Sequence, residues 1–317
     1  MTLSETHDMR TRTVPEDHRI DWSQGVAWMA GEIMPIGQAA IPVTDWGLTH
    51  SDITYDVVHV WDGRFFRMDD YLERFQRSLE KCRLSVPQTQ ADMRAILHQI
   101  VARSGLERSY VSVVASRGQP SVPGSRDPRL CENHFYAWCV PFVWVFLEEV
   151  IERGAHLMVP DHVARIAPNS VDPKAKNYHW GDFTQGLFEA KEAGFDTTVL
   201  LDADGHVTEG PGFNVFMIKD GVVKTPRSGV LEGITRKVAM EICAAHGLEC
   251  QETDIPFEVF LEADEVFATT TGGGPVAVTR VNDRVFSNDA AGPFTQRIRD
   301  TYWEWHNDPS MSEPVSG

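Results

Sequence analysis

At 317 residues the chain is longer than one ordinary hydrophobic core and is expected to fold as two lobes. Hydrophobic residues at 42% and charged residues at 24% describe a globular chain rather than a disordered or fibrous one. With 29 Lys and Arg against 46 Asp and Glu the net charge is −17, which repels phosphate backbones and anionic lipid and makes nucleic acid and membranes poor partners.

Residues 1–24 are polar, lack the apolar segment of a secretory signal, and are expected to form a loose arm. A first lobe is placed at 25–147. It should open with a hairpin over AWMAGEIMPI turning at Gly31-Glu32, then a second over HSDITYDVVHVWDGRFFRM turning at Asp62-Gly63. Asp69-Asp70 start a helix through about Leu84, with apolar residues at 72, 75, 79 and 82. A second helix near 89–104 ends at Gly105. The Val-rich YVSVVAS (110–116) reads as a buried strand, and HFYAWCVPFVWVF (134–146) as a long aromatic one. Between them lies a loop rich in Gly, Pro and Arg, RGQPSVPGSRDPR.

The second lobe, 148–317, is expected to carry strand AHLMVP, a helix from about 180 to 193 and strand TTVLLD. A hairpin turning at Asp220-Gly221, a helix at 234–246 and strand DEVFATTT follow. Strands and helices mix without a strict βαβ rhythm, which favours mixed α/β (α+β) lobes over a doubly wound nucleotide fold. Five cysteines (82, 131, 139, 243, 250) show no CxxC spacing, so reduced thiols in a cytoplasmic protein are expected, with no metal site.

Four stretches look chemical. In GVLEGITRK (229–237), Gly233-Ile234-Thr235 lead into a helix whose free N–H groups and dipole favour an anion. In ATTTGGGP (268–275), glycines admit a ligand to the main chain, and Thr270 and Thr271 can donate to its oxygens. DPKAKNYHWGDF (172–183) sets two lysines beside an aromatic cluster, where desolvation would free an amine for imine chemistry. VTEGPGFNVF (207–216) holds Glu209 on a tight turn. Taken singly, each admits a plainer account: a helix cap, a glycine turn, a solvated lysine, a turn-capping acid. Neither glycine stretch matches GxGxxG or the phosphate loop of nucleotide triphosphatases. Together, a lysine for an imine, an acid for a pyridinium and two phosphate cups suit pyridoxal 5′-phosphate.

The order KNxxWGD, EGxGFN, LxGITR, TTxGG resembles the class IV (fold type IV) pyridoxal-phosphate aminotransferases, over most of the chain. Within that family HSDITYDVVHVWDGRFFRMDDYLERF (50–75), VDPKAKNYHWGD (171–182) and PFTQRIRDTYWEWH (293–306) are similar to the (R)-selective amine transaminases. The resemblance implies a smaller N-terminal α/β lobe, a larger pseudo-barrel C-terminal lobe that binds the cofactor, and a homodimer with shared active sites. It implies that Lys176 is the Schiff-base lysine and proton carrier, with Lys174 a surface residue, and that Glu209 keeps the pyridine nitrogen protonated. Arg74 would clamp the phosphate with main-chain groups of Gly233, Ile234 and Thr235 and with Thr270 and Thr271, while Leu231 packs on the ring.

The activity implied is ping-pong transamination from a primary amine to a pyruvate-type acceptor. The substrate pocket would comprise Tyr55, Val57, Val60, Tyr110, Trp180 and Gly273, with His50 at its mouth. For the two valines the alternative is plain core packing. Arg126 would be a mobile carboxylate contact, with Arg117 the alternative or an anchor of the loop. Ser112 stands where relatives specific for amino acids often have an Arg, which leaves an apolar, aromatic wall. Departures are the extra glycine in TTGGGP, Pro275 after it, Pro123 where fungal members carry the mobile Arg, and His179 before Trp180. The competing expectations are a D-amino-acid or branched-chain aminotransferase, and a non-catalytic phosphate-ligand binder on the same fold.

Overall fold

The computed structural model describes residues 21–317, so most of the arm expected at 1–24 lies outside the described residues. Strands β1 (Val26–Met29) and β2 (Glu32–Pro35) form the first hairpin. Its turn is Ala30-Gly31, one residue earlier than expected. These two residues have φ of 52° and 90°, and a two-residue hairpin loop needs positive φ at both. A short helix α1 (Trp46–Thr49) precedes β3 (Ile53–Trp61) and β4 (Arg64–Phe66), which turn at Asp62-Gly63 as expected.

Helix α2 (Met68–Cys82) buries Leu72, Phe75 and Leu79, and with them Arg74 and Ser78. Helix α3 (Gln90–Ser104) starts on a reciprocal Thr89–Asp92 cap and ends at Gly105 with φ 70°. Strand β5 (Ser109–Ser116) lies between β3 and β6 (His134–Pro141) and is buried along nearly its whole length. The aromatic strand stops at Pro141, short of the expected 146, with one further ladder bond from the Phe142 N–H to the Arg108 carbonyl at 3.2 Å. The residues beyond it cross to the second lobe, stacking Phe142 and Trp144 edge-on against Trp61.

There follow α4 (Glu148–Arg153), β7 (Ala155–Met158), α5 (Gly181–Glu192) and β8 (Thr197–Thr198), the last much shorter than the expected TTVLLD strand. Next come β9 (Glu209–Gly210), β10 (Phe213–Lys219), β11 (Val222–Pro226), α6 (Ile234–Ala245), β12 (Cys250–Thr253), α7 (Phe257–Phe260) and β13 (Glu265–Thr270). The chain ends with β14 (Gly274–Val281), β15 (Arg284–Val285), α8 (Pro293–Glu304) and β16 (Ser312–Pro314). The strands make two sheets, the first antiparallel throughout and the second mixed. One runs β16-β4-β3-β5-β6-β1-β2, and the other β12-β11-β10-β13-β14-β7-β8 with β9 and β15 at its margins.

The second sheet is buried on both faces, which is why its central strands read as continuous apolar runs. Val215, Met217, Val266, Ala268, Val276 and Val278 face one core. Their neighbours Phe216 and Phe267, paired in register and stacked at 4.6 Å, face the other. That second core also takes in Phe75, Ile100 and Val111 of the first lobe, Val238 of α6 and Tyr302 of α8. One continuous apolar layer therefore joins the two sheets, and the catalytic candidates lie along its edge.

Helix α8 is anchored by a buried acid. Glu265 accepts the N–H groups of Phe294 and Thr295 at 3.1 and 2.9 Å and the Thr295 hydroxyl at 2.8 Å. It satisfies donors that the helix start cannot satisfy internally, and a carboxylate there complements the dipole. Glu265→Ala should lower stability by about 2 kcal/mol, read as a fall in melting temperature, with the visible absorbance of the loaded enzyme unchanged.

Candidate active site

Lys176 lies in the irregular segment between β7 and α5, and the first sheet holds it. The Tyr55 N–H and Thr54 hydroxyl donate to the Lys176 carbonyl at 3.1 and 2.6 Å. Its Nζ stands over the Tyr55 ring, 4.6 Å from the centroid. Loss of hydration, reinforced by the Arg74 cation, pulls the amine down to about 8, while Asp56 and Glu209 oppose the shift. Lys174 is half exposed and paired with Glu232 at 2.7 Å, outside the cavity. The two lysines of one motif thus sit in opposite environments.

Glu209, in β9, is buried beside the first residues of β10. One carboxylate oxygen accepts from Arg165 at 3.0 Å. The other accepts the Leu231 N–H at 2.9 Å and the Asn214 amide at 3.2 Å. Three of its roughly four acceptor positions are filled, leaving one for a further donor. Burial pushes its carboxyl up, and Arg165 and the Leu231 N–H counter this. Arg165 is itself braced by Asp182 at 2.7 Å and lies over the Phe183 ring at 4.2 Å. Sequence reasoning did not single out Arg165 or Asn214. The Asn was visible in GFN, whereas nothing local marks Arg165, which lies 44 positions before Glu209.

At the other end of the cavity, helix α6 begins at Gly233 without a side-chain cap, so its first N–H groups are free to bind an anion. A Cβ at Gly233 would collide with the Asn214 side chain, which reserves the position for glycine. The Thr235 hydroxyl is buried with no partner. Tyr71 and Thr271 share a hydrogen bond of 3.0 Å, and the Thr270 hydroxyl accepts the Gly272 N–H at 3.3 Å. Arg74 is buried and forks onto Asp56 at 2.8 and 2.6 Å, and its remaining nitrogen donates to the Glu232 carbonyl at 3.0 Å.

All nine residues named for the cofactor border this one cavity. A flat pyridine carrying an aldehyde and a phosphate suits it. The uncapped helix, orphaned hydroxyl and glycine cradle lie at one end, the acid with one spare acceptor position is at the other, and a desolvated amine lines the space between. The residues present fit the cofactor.

Tyr55, Val57, Tyr110 and Trp180 border an adjoining, largely apolar cavity of about 390 Å³, together with Trp138, Val145 and Tyr178, which the sequence reading had not named. Tyr178 stacks on Tyr55 at 4.1 Å. Val60 does not reach this cavity. Successive strand residues face opposite ways, so Val60 lies across β3 from Tyr55 and Val57 and packs in the core. Gly273 also lies outside it, and its neighbour Gly272 lines the wall. His50 is exposed against Trp46 at 4.5 Å, and Arg126 is exposed on its loop; neither borders either cavity within the single chain. Arg117 is buried, forked onto Asp52 at 2.8 and 3.0 Å and donating to the carbonyls of Cys82 and Arg83, and so anchors the loop base.

A cavity of this make-up on a two-sheet mixed α/β fold defines an enzyme of amine chemistry. Residues 54–281 match the family model of amino-transferase class IV, and the chain belongs to that family. It is a pyridoxal-phosphate-dependent aminotransferase. The branched-chain-amino-acid aminotransferase of Escherichia coli K12 is 26% identical over 285 residues, which is 87% of this chain and 91% of that one. The branched-chain amino acid aminotransferase of T.th., solved with pyridoxamine 5′-phosphate, superposes with a TM-score of 0.85 at 26% identity, over 92% of this chain and 99% of that one. The Thermoproteus uzoniensis branched-chain aminotransferase solved with norvaline gives 0.83 at 26% identity over the same shares. Among the described residues, no helix is long and apolar enough to cross a membrane.

Reduction of the loaded enzyme with borohydride should fix the cofactor on Lys176 and not on Lys174, as read by peptide mapping. The rate at which apoenzyme takes up pyridoxal phosphate should rise as pH approaches 8 and level off above it, because the uncharged amine is the reactive form. Lys176→Ala should abolish both the label and the visible band.

Proposed function

We propose that this aminotransferase takes an apolar primary amine of (R) configuration as donor and passes its amino group to a pyruvate-type keto acid. The observation that carries the reading is the wall of the substrate cavity. It is built from Tyr55, Val57, Tyr110, Trp138, Tyr178 and Trp180, and apart from Lys176 itself no charged residue among the described ones borders it. A fixed carboxylate contact calls for an Arg, and the position on β5 where one would reach in is Ser112, whose hydroxyl donates to the Asp56 carbonyl at 3.2 Å. The preference for (R) rests on the motif resemblance at 50–75, 171–182 and 293–306.

Bound in the cavity, pyridoxal phosphate supplies an electron sink for the substrate carbon that loses its proton. The chain supplies the rest. Lys176 Nζ, uncharged in a useful fraction near pH 8, takes the proton from that carbon and returns it at a neighbouring atom. Glu209 holds a proton on the ring nitrogen through its remaining acceptor position. The first turn of α6, Thr235, Thr270 and Thr271 hold the phosphate, and Leu231 covers the ring. The aromatic wall excludes water and seats an alkyl or aryl group.

Pyruvate or alanine also has to be accommodated, and for this we assign Arg126, with His50, to the mouth of a partner subunit's cavity in a homodimer. Both are exposed within one chain. Nearby stretches expose large apolar side chains that a second copy would cover, including Val43 at 79%, Leu48 at 59% and Val122 at 50%.

With pyruvate as acceptor, (R)-1-phenylethylamine should turn over at least tenfold faster than its (S) enantiomer and faster than L-leucine. Activity on L-leucine with none on the aryl amine would assign the chain instead to the branched-chain group that its named relatives represent. Sedimentation should give twice the 35.6 kDa chain mass, and Arg126→Ala should raise KM for pyruvate with little change for the aryl amine. A fully active monomer at high dilution would refute the shared site.

A further inference from the structure

We infer that Asp56 is a positioning residue for the phosphate end of the cavity: it fixes the Arg74 guanidinium and cancels its charge, so that this end carries no surplus cation. The inference rests on the reading of the cavity as the cofactor site.

The geometry is that of a built pair. Asp56 on β3 is fully buried and Arg74 on α2 nearly so. Nε donates to Oδ2 at 2.8 Å and Nη2 to Oδ1 at 2.6 Å, the parallel two-bond arrangement that a guanidinium makes with a carboxylate. Oδ1 is pinned in turn by the Val57 N–H at 2.7 Å. The third Arg74 nitrogen donates to the Glu232 carbonyl at 3.0 Å, in the loop that leads into α6. The guanidinium therefore spans from the first sheet to the lead-in of the phosphate helix, and its orientation is set before a ligand arrives.

Asp56 follows directly on the residues that hold the lysine. Thr54 and Tyr55 both donate to the Lys176 carbonyl, and the Tyr55 ring lies under Nζ. Three consecutive residues of one strand thus hold the amine and the phosphate arginine at a fixed separation. The charged and titratable groups around Nζ are Tyr55 and Asp56 from β3, Arg74 and Tyr71 from α2, and Glu209 from β9 with Arg165 behind it. Among these, Asp56 alone is paired to Arg74.

The test titrates the absorbance of the loaded enzyme against pH. Asp56→Asn removes the carboxylate charge that faces the Arg74 cation, and the midpoint of the cofactor–lysine band should fall by roughly one pH unit. Adding Arg74→Gln should return the midpoint most of the way. An unchanged midpoint in Asp56→Asn, in whatever fraction stays loaded, means that Asp56 only supports the fold and overturns the inference. If Asp56→Asn does not fold, Arg74→Gln alone reads the pair from the other side. Its midpoint should rise, and no change would again overturn the inference. A wild-type enzyme with no band tied to Lys176 would instead refute the reading of the cavity, so the two failures are distinct.

Discussion

A lysine amine that is to be uncharged near neutral pH must be kept from water and must stand near another cation. Both conditions bear on Lys176, and the rest of the site is arranged around them. Water is displaced by the Tyr55 ring below and by the aromatic wall beside it. The nearby cation is Arg74, which on the proposed reading also serves the phosphate end. A cation strong enough to bind a phosphate dianion and left bare would also drive the proton off the amine and weaken the ring-nitrogen end. The Asp56 carboxylate tempers that field where it originates. Phosphate binding then falls largely to the uncapped start of α6 and its hydroxyls, which are dipoles rather than net charges.

The same economy holds at the opposite end. Glu209 is buried, and burial pushes its carboxyl up. Arg165, the Leu231 N–H and the Asn214 amide stabilise its charged form while leaving one direction open. Leu231 and Asn214 belong to the segments that bound the phosphate end too. Asn214 also accepts close approach from Gly233, where any side chain would collide. The two ends of the cavity are thus coupled through one loop and one strand. A change at Gly233 would disturb the acid as well as the phosphate cup.

Local chemistry was legible in the sequence where a single segment carries it. Asp62-Gly63 and Asp220-Gly221 are turns because their φ values are positive, and Thr89 with Asp92 caps α3 by side chains three residues apart. The nine residues named for the cofactor, which border one cavity, were named through four contiguous motifs and through Arg74, one of two arginines of α2. What escaped depends on pairs far apart in the chain. Asp56 meets Arg74 across 18 positions, Arg165 meets Glu209 across 44, and Trp138 reaches the cavity only because β6 pairs with β5. Val60 was misplaced for a different reason. A run as apolar as ITYDVVHVW hides its own alternation, and only the pairing shows which valines face the ligand.

Relatives bearing the branched-chain name and a chain with no arginine among the described residues of its substrate wall can share one scaffold, because the candidate cofactor residues and the wall are held by different contacts. Lys176 and Arg74 are tied to β3 and α2, which meet in the shared core, and Glu209 lies on β9, which pairs with β10. The substrate wall comes from elsewhere: alternate residues of β3, β5 and β6, and the rings just after Lys176. Apart from the Tyr55 ring under the amine, those side chains project from strands whose other faces do the packing, so they can change while the main-chain bonds to Lys176 stay. Ser112 shows the separation most plainly. Its backbone pairs with Val57 in the ladder, while its hydroxyl turns to the carbonyl of Asp56, a residue whose carboxylate already serves Arg74. An arginine at that position could not make this hydroxyl bond and would extend toward the cavity. It would bring a second cation toward an amine whose proton balance is already set by the first. In this chain a carboxylate is therefore better met by a cation that arrives from outside with the substrate than by one fixed in the wall.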